Sequence, residues 1–200
     1  EFYFEEPVFD GQFSNECYQK RIAEGLKHFQ SQKSINFLED WDHLIFHLPY
    51  AFQGRRMMLD IWLDWIKENK LMKILEEEIG KMNDYEFKDW RKAASKSSVY
   101  QKFVSSKIED GEMASSYIGN MYTASIFMSL ISLFYCSFHN KRKLSGNHVG
   151  FLSYGSGSKS KIFQGKIAMK WKEKINHLNL MEDIQSRKSI DFMTYEKLHN

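Results

Sequence analysis

Cysteine is scarce: 200 residues contain only Cys17 and Cys136. Two thiols make no disulfide framework and have no metal-ligand spacing, so a reducing compartment, the cytoplasm, is the default expectation. An excess of charge of either sign is also lacking, since 28 basic against 26 acidic residues leave a formal charge of +2. So small an imbalance argues for neither nucleic acid nor an anionic membrane as a partner, and any anion site has to be local. A long uninterrupted apolar run is absent too. The most apolar stretch, Met121 to Phe138, is broken by Ser125, Ser129, Ser132 and Ser137; at about 18 residues it reads as a buried core helix and not as a membrane span. The opening, EFYFEEPVFDG, has no initiator Met, no basic segment and no apolar leader. It is read as neither a signal peptide nor a natural translation start, and the chain as a fragment. No internal repeat is found.

What is present suffices for a core. Hydrophobic residues make up 42% and aromatics 16% of the chain, enough for one domain or a large part of one. Tyr18, Ile22, Leu26 and Phe29 recur at helical spacing, with Ser14 as the candidate N-cap and Asp10-Gly11 as a preceding turn. His43 to Leu48 is a short apolar run stopped by Pro49 and predicts a buried strand. Met58, Ile61, Trp62, Trp65 and Ile66 form one helical face; Leu71, Ile74, Leu75 and Ile79 form another, closed by Gly80. Trp90, Ala94, Tyr100, Phe103, Val104 and Ile108 predict further helices with a break at Lys96 to Ser98. The charged stretch Lys67 to Lys107 reads as a solvated helical insertion, spanning 66–110 within a single unit of residues 1–200. Gly146-Asn147 turns into a strand from His148 to Tyr154, and Gly155-Ser156-Gly157 leads to a second strand within Lys161 to Trp171. The last thirty residues read as peripheral helix, with Ser189 as a candidate cap. Strands separated by long helices define an α/β class, and three or four strands are few for a complete doubly wound domain.

Several residues have two readings. His43 and His47 lie four apart on a predicted strand, roughly 13 Å in reach, too far for one metal ion. His47 stands at the strand's carboxyl end, where open α/β sheets place ligand groups; it is either catalytic or a satisfied structural histidine. Gly155-Ser156-Gly157 fits neither a nucleophile elbow nor a P-loop. It either offers main-chain N–H groups to a ligand oxygen or simply turns a hairpin. Asn120 either caps the following helix or hydrogen-bonds a substrate carbonyl. Arg55 and Arg56 either hold phosphate or solvate their helix. Cys17 and Cys136 lie within predicted helices and read as inert packing residues.

Four ordered motifs, VFDGQFSNECY (Val8 to Tyr18), FHLPY (Phe46 to Tyr50), GNMYTAS (Gly119 to Ser125) and FLSYGSG (Phe151 to Gly157), resemble the second half of the hydroxymethylglutaryl-CoA (HMG-CoA) synthase family. The resemblance runs from near Pro7 to the C-terminus and is weakest over Lys67 to Lys107. It implies a thiolase-like layered fold, here the C-terminal half, with a mixed sheet packed between helices. It also implies a reaction in which an N-terminal cysteine, acetylated by acetyl-CoA, delivers a carbanion made by an N-terminal glutamate to the ketone of acetoacetyl-CoA. Neither the cysteine motif nor the glutamate region is recognisable in this chain, so the resemblance implies inactivity on its own. His47 matches the family histidine that polarises the ketone, and Asn120 the asparagine that binds the acetoacetyl group. Ser156 matches the serine whose main-chain N–H holds substrate oxygens, with Tyr154 lining the same cavity and Pro49 shaping the loop. Many relatives carry a lysine for CoA phosphates where this chain has Phe52; Arg55 and Arg56 are the substitutes the resemblance offers. The implied setting is mevalonate synthesis by a cytoplasmic homodimer, with CoA thioesters and the N-terminal half as partners and no cofactor or metal. An acyl-carrier-protein substrate and a non-catalytic interaction module are the competing readings.

Overall fold

The computed structural model describes residues 10–155 and 157–199. The first helix, α1 (Gly11–Lys33), starts one turn earlier than Ser14 because Asp10 is the cap: its carboxylate accepts the Phe13 N–H at 3.0 Å. Tyr18, Ile22 and Leu26 are buried as their spacing predicts, with Phe29 packed against them. A short helix, α2 (Phe37–Asp40), leads into β1 (His43–Phe46). The ladder of β1 stops two residues short of the expected Leu48, although the His47 N–H still reaches the Leu152 carbonyl at 3.0 Å.

Strand β1 runs parallel to β2 (His148–Gly155), which pairs antiparallel with β3 (Lys159–Lys166). The sheet order is β1-β2-β3, so the sheet is mixed and β2–β3 is the expected hairpin. Strand β3 begins earlier than the sequence suggested and ends before Trp171, which opens a short helix, α10 (Trp171–Ile175). Alternation across the pleat sorts the side chains into two cores. Leu44, Phe46 and Leu152 join Tyr18, Ile22 and Trp62 on one side, while Ile45 and Val149 join Ile126, Leu133 and Trp171 on the other. The result is a sheet between two helical layers.

The first of these layers includes α3 (Gln53–Glu68), α4 (Met72–Ile79), α5 (Phe87–Lys96) and α6 (Ser98–Lys107). Gly80 ends α4 at φ +86 as expected, but of the face assigned to α4 only Leu75 is fully buried, and Leu71 and Ile74 lie exposed. Ser97 caps α6 at the predicted break. The 66–110 segment is not only a solvated appendage: Leu75, Trp90, Ala94, Tyr100 and Val104 belong to the same buried cluster as α1 and β1.

Two short helices, α7 (Glu109–Glu112) and α8 (Ser115–Ile118), precede a single 3-10 turn at Tyr122–Ala124 and then α9 (Ser125–His139). Helix α9 buries its serines beside its apolar residues. Ser125, Ser129, Ser132 and Ser137 are buried together with Ile126 and Leu133, whereas Phe127 is 60% exposed. Three of the hydroxyls connect to main chain: Ser125 Oγ accepts the Leu48 N–H at 3.0 Å, Ser129 Oγ donates to the Phe46 carbonyl at 3.2 Å, and Ser132 Oγ accepts the Ala114 N–H at 3.1 Å. Two of these anchors hold the end of β1, an edge strand among the described residues. After α10, helices α11 (Leu180–Gln185) and α12 (Phe192–His199) finish the chain, and Asp191, not Ser189, caps α12 by accepting the Thr194 N–H at 2.7 Å. None of the described helices is long and apolar enough to cross a membrane.

Candidate functional site

The end of β1 is held from three directions. Tyr18 Oη donates to the His47 carbonyl at 2.6 Å, the His47 N–H is bound by Leu152, and Ser125 Oγ lies 2.8 Å from His47 Nδ1. Tyr18 and Tyr154 bracket the imidazole, with ring centroids 6.3 and 6.4 Å away. Burial pushes the His47 pKa down from its ordinary value, offset in part by the Tyr122 main-chain carbonyl, so the surroundings favour the uncharged form of the ring. Burial also raises the Tyr18 phenol, which keeps the proton it donates.

His47 and Tyr154 line two adjoining cavities of about 470 Å³ each. One is closed by Phe13, Ser14 and Cys17 of α1, by Tyr122 and Thr123, and by Gly155 and Gly157. The other runs along the hairpin, past Lys159, Lys161 and Phe163, to Ile126 and Phe127 of α9. The hairpin tip is anchored to α1, since Arg21 Nε donates to Ser158 Oγ at 3.0 Å and Ser160 Oγ donates to the Arg21 carbonyl at 2.6 Å. Gly157 has φ +82, a conformation that favours glycine. Tyr122, at the cavity wall, takes φ +49, an uncommon conformation for an aromatic residue.

The sequence-derived candidates separate spatially. His47 and Tyr154 share the cavities, and Gly155 and Gly157 flank the wall at Ser156, which itself lies outside the described residues. Asn120 is exposed and is not among the lining residues; its Oδ1 accepts the Tyr122 N–H at 2.8 Å, so it shapes the turn that delivers Tyr122 and Thr123. Pro49 sits half-buried in the loop between His47 and α3 and does not line either cavity. Arg55 and Arg56 line a third cavity of about 690 Å³, with Tyr50, Lys88 and Lys92. Arg55 is already engaged: its Nε donates to buried Glu112 at 2.6 Å, its own N–H to the same carboxylate at 3.0 Å, and its guanidinium lies 4.8 Å over the Phe52 ring. Arg56 lies over Tyr50 at 5.7 Å.

Sequence reasoning missed three features. Cys17 was read as packing, but it is half-buried on the cavity wall, one turn of α1 beyond Ser14. Cys136 does behave as a packing residue, its thiol pushed up to about 11 by burial. Ser125 and Glu112 carried no local signal, because their partners are 78 and 57 residues away. Among the described residues, no group of three or more His, Cys, Asp or Glu side chains could hold a metal ion.

The arrangement is that of an α/β protein presenting a half-buried histidine and a glycine turn to a partly apolar cavity. The family model for the C-terminal part of hydroxymethylglutaryl-coenzyme A synthase matches residues 1–198, and the chain belongs to that family. It is 23% identical to the synthase of Haloferax volcanii, 26% to that of Enterococcus faecalis and 31% to the human mitochondrial synthase. These alignments cover 97%, 96% and 82% of this chain and 46%, 41% and 35% of the relatives. The chain thus spans less than half the length of these curated relatives, on their C-terminal side. Among solved structures, MvaS in complex with 3-hydroxy-3-methylglutaryl coenzyme A superposes with a TM-score of 0.67 at 20% identity, over 96% of this chain and 44% of that one. The HMG synthase of the curacin biosynthetic pathway, in complex with acetyl donor-ACP, gives 0.67 at 17% identity, over 96% and 39%. The fold is therefore the C-terminal half of a thiolase-like HMG synthase.

Proposed function

We propose that the full-length protein condenses acetyl-CoA with acetoacetyl-CoA to 3-hydroxy-3-methylglutaryl-CoA, and that this chain supplies the acetoacetyl side of the site. The observation that carries this reading is His47: a half-buried imidazole, fixed at the carboxyl end of β1 by Ser125, lines the cavities together with Tyr154 and the glycine turn. A carbanion formed on the enzyme-bound acetyl group attacks the ketone carbon of the acceptor. The carbonyl π electrons move to oxygen, and an N–H held at that oxygen lowers the barrier by stabilising the developing alkoxide. In this scheme His47 supplies that N–H, Tyr154 borders the acyl chain, and the main chain about Ser156 holds a thioester or ketone oxygen. Asn120 acts through the turn it caps, which delivers Tyr122 and Thr123 to the cavity wall. Pro49 sets the path from His47 to α3, and Arg56, with Lys88 and Lys92, takes the CoA phosphates in place of Arg55. The acetylated cysteine, formed with loss of CoA from acetyl-CoA, and the carboxylate base that takes the methyl proton belong to the N-terminal half. The alkoxide then takes up a proton, and water hydrolyses the cysteine thioester, releasing 3-hydroxy-3-methylglutaryl-CoA and the free thiol. The reaction requires no cofactor, and we assign the protein to the cytoplasm, to mevalonate synthesis and to a homodimer.

The test follows acetoacetyl-CoA enolate absorbance after acetyl-CoA is added to the full-length protein. Loss of signal that depends on acetyl-CoA and disappears in His47→Ala is the expected result; cysteine acetylation should survive the substitution. Equal loss of both steps would remove His47 from this role. A carrier-protein acceptor is the second reading, favoured by Phe52 at the lysine position and by the commitment of Arg55 to Glu112. Condensation only with an acyl-carrier thioester would establish it, and acetylation or condensation with neither acceptor would leave an interaction module.

A further inference from the structure

We infer that Ser125 is a positioning residue that fixes His47 as the Nε2–H tautomer and aims that N–H into the cavity. The protons available at the Ser125 hydroxyl decide the tautomer, and its use in catalysis rests on the condensing role proposed for His47. Ser125 is fully buried, and two hydrogen-bond partners are recorded for its hydroxyl among the described residues: the Leu48 N–H at 3.0 Å and His47 Nδ1 at 2.8 Å. The Leu48 amide can only donate, so it takes one lone pair of Oγ. The single hydroxyl proton then has Nδ1 as its acceptor. Were Nδ1 the donor instead, Oγ would accept twice and a buried O–H would have nowhere to go, which biases the tautomer by about tenfold or more. With Nδ1 accepting, the ring proton sits on Nε2, the nitrogen on the far side of the ring from Ser125.

The same contacts set the ring's direction. Ser125 is the first residue of α9, and its Oγ joins the helix start to both the ring and the main chain of the loop after β1. The Tyr18 bond to the His47 carbonyl fixes the other end of the residue, so rotation about the side chain would break the Ser125 contact. An alkoxide stabiliser needs a donor already in place before charge develops, and this clamp provides it without charging the ring.

The full-length protein, labelled with ¹⁵N histidine and with the His47 signals assigned by their loss in His47→Ala, reports the tautomer directly. The expected wild-type spectrum has an unprotonated, hydrogen-bonded Nδ1. In Ser125→Ala the Nδ1 hydrogen bond disappears, the tautomers mix, and the condensation kcat falls roughly tenfold or more, while cysteine acetylation is unchanged. Ser125→Thr, which keeps the hydroxyl, restores the spectrum. Ser129→Ala removes the neighbouring anchor to the Phe46 carbonyl without touching the ring, and should lower stability while leaving tautomer and kcat as they were. A proton on Nδ1 in the wild type overturns the inference, as does a Ser125→Ala protein whose His47 spectrum and kcat match the wild type. Failure of the wild type to condense any acceptor would instead sink the functional reading, and the wild-type spectrum would still decide the tautomer.

Discussion

At Gly150 a β carbon would come within 1.9 Å of Trp41 Cε3, because the indole lies flat against β2 and is pinned there by Nε1 donating to Gln164 Oε1 at 2.9 Å. The neighbours cannot give way cheaply, since the atom met is part of a rigid buried ring. Gly150→Ala should cost about 3 kcal/mol, read as a lowered urea midpoint with an unchanged m-value. His43 makes a pH prediction. Its buried ring is pushed down to about 4, and Asn147 Nδ2 sits 3.2 Å from Nε2. In the unfolded chain the ring protonates near pH 6.5, while the folded one stays neutral. Above that pH both states are neutral and His43 has no effect on stability. Between pH 6.5 and about 4 the unfolded state binds the extra proton, so stability falls with pH by roughly 3 kcal/mol in total. The wild type should therefore lose stability over this window more steeply than His43→Gln, and parallel curves would show that the imidazole is not held neutral.

The start of α3 shows what an element needs beyond its own sequence. Phe52 occupies the N-cap position in a left-handed conformation and offers no side-chain cap. The missing acceptor comes from Glu112 of α7, which is 1% exposed and binds both the N–H and the Nε of Arg55. Tyr100 adds a bond to the Arg55 carbonyl. Burial raises the Glu112 carboxyl and Arg55 pulls it back. Arg55→Met leaves that carboxylate buried without its partner and should destabilise by about 3 kcal/mol. Arg56→Met, with an exposed guanidinium, should leave stability within about 0.5 kcal/mol and raise KM for the CoA acceptor. A reversal of these two effects would return Arg55 to the ligand. Such pairings explain which features were legible in the sequence. Periodicity located α1, α3 and the β2–β3 hairpin, and four short motifs located His47 and Tyr154, because those signals are local. Asp10 displaced Ser14 as the cap of α1 since both residue types can cap and only geometry chooses. The serines of α9 looked like interruptions of an apolar helix; Ser125 and Ser129 face inward and bond to the end of β1, which has no strand on its other side among the described residues. Ser125 and Glu112 act on residues distant in sequence, and a single sequence contains nothing that links them.

On the scale of the whole molecule, what remains uncovered matters. By turning its serines inward, α9 leaves Phe127 largely exposed and Leu130, Ile131 and Phe134 only partly buried. Helix α12 has no buried residue, and Phe192, Met193, Tyr195 and Leu198 all face outward. The second cavity at His47 opens along the same side as Phe127. Exposed apolar side chains beside the cavity make the α9 face a candidate interface, and the curated relatives are more than twice as long as this chain. Residues 10–199 produced alone should bind the dye ANS and form aggregates larger than a dimer at micromolar concentration, whereas the full-length protein should bind no dye and stop at the dimer. The substitution Phe127→Glu separates two causes. If α9 is covered in the full-length protein, the charge should reduce dye binding by the isolated segment yet destabilise the full-length protein, because only there is the carboxylate buried. A full-length protein that tolerates Phe127→Glu without loss of stability would mean that this face of α9 remains in solvent, and that the cavity beside His47 is completed from another direction.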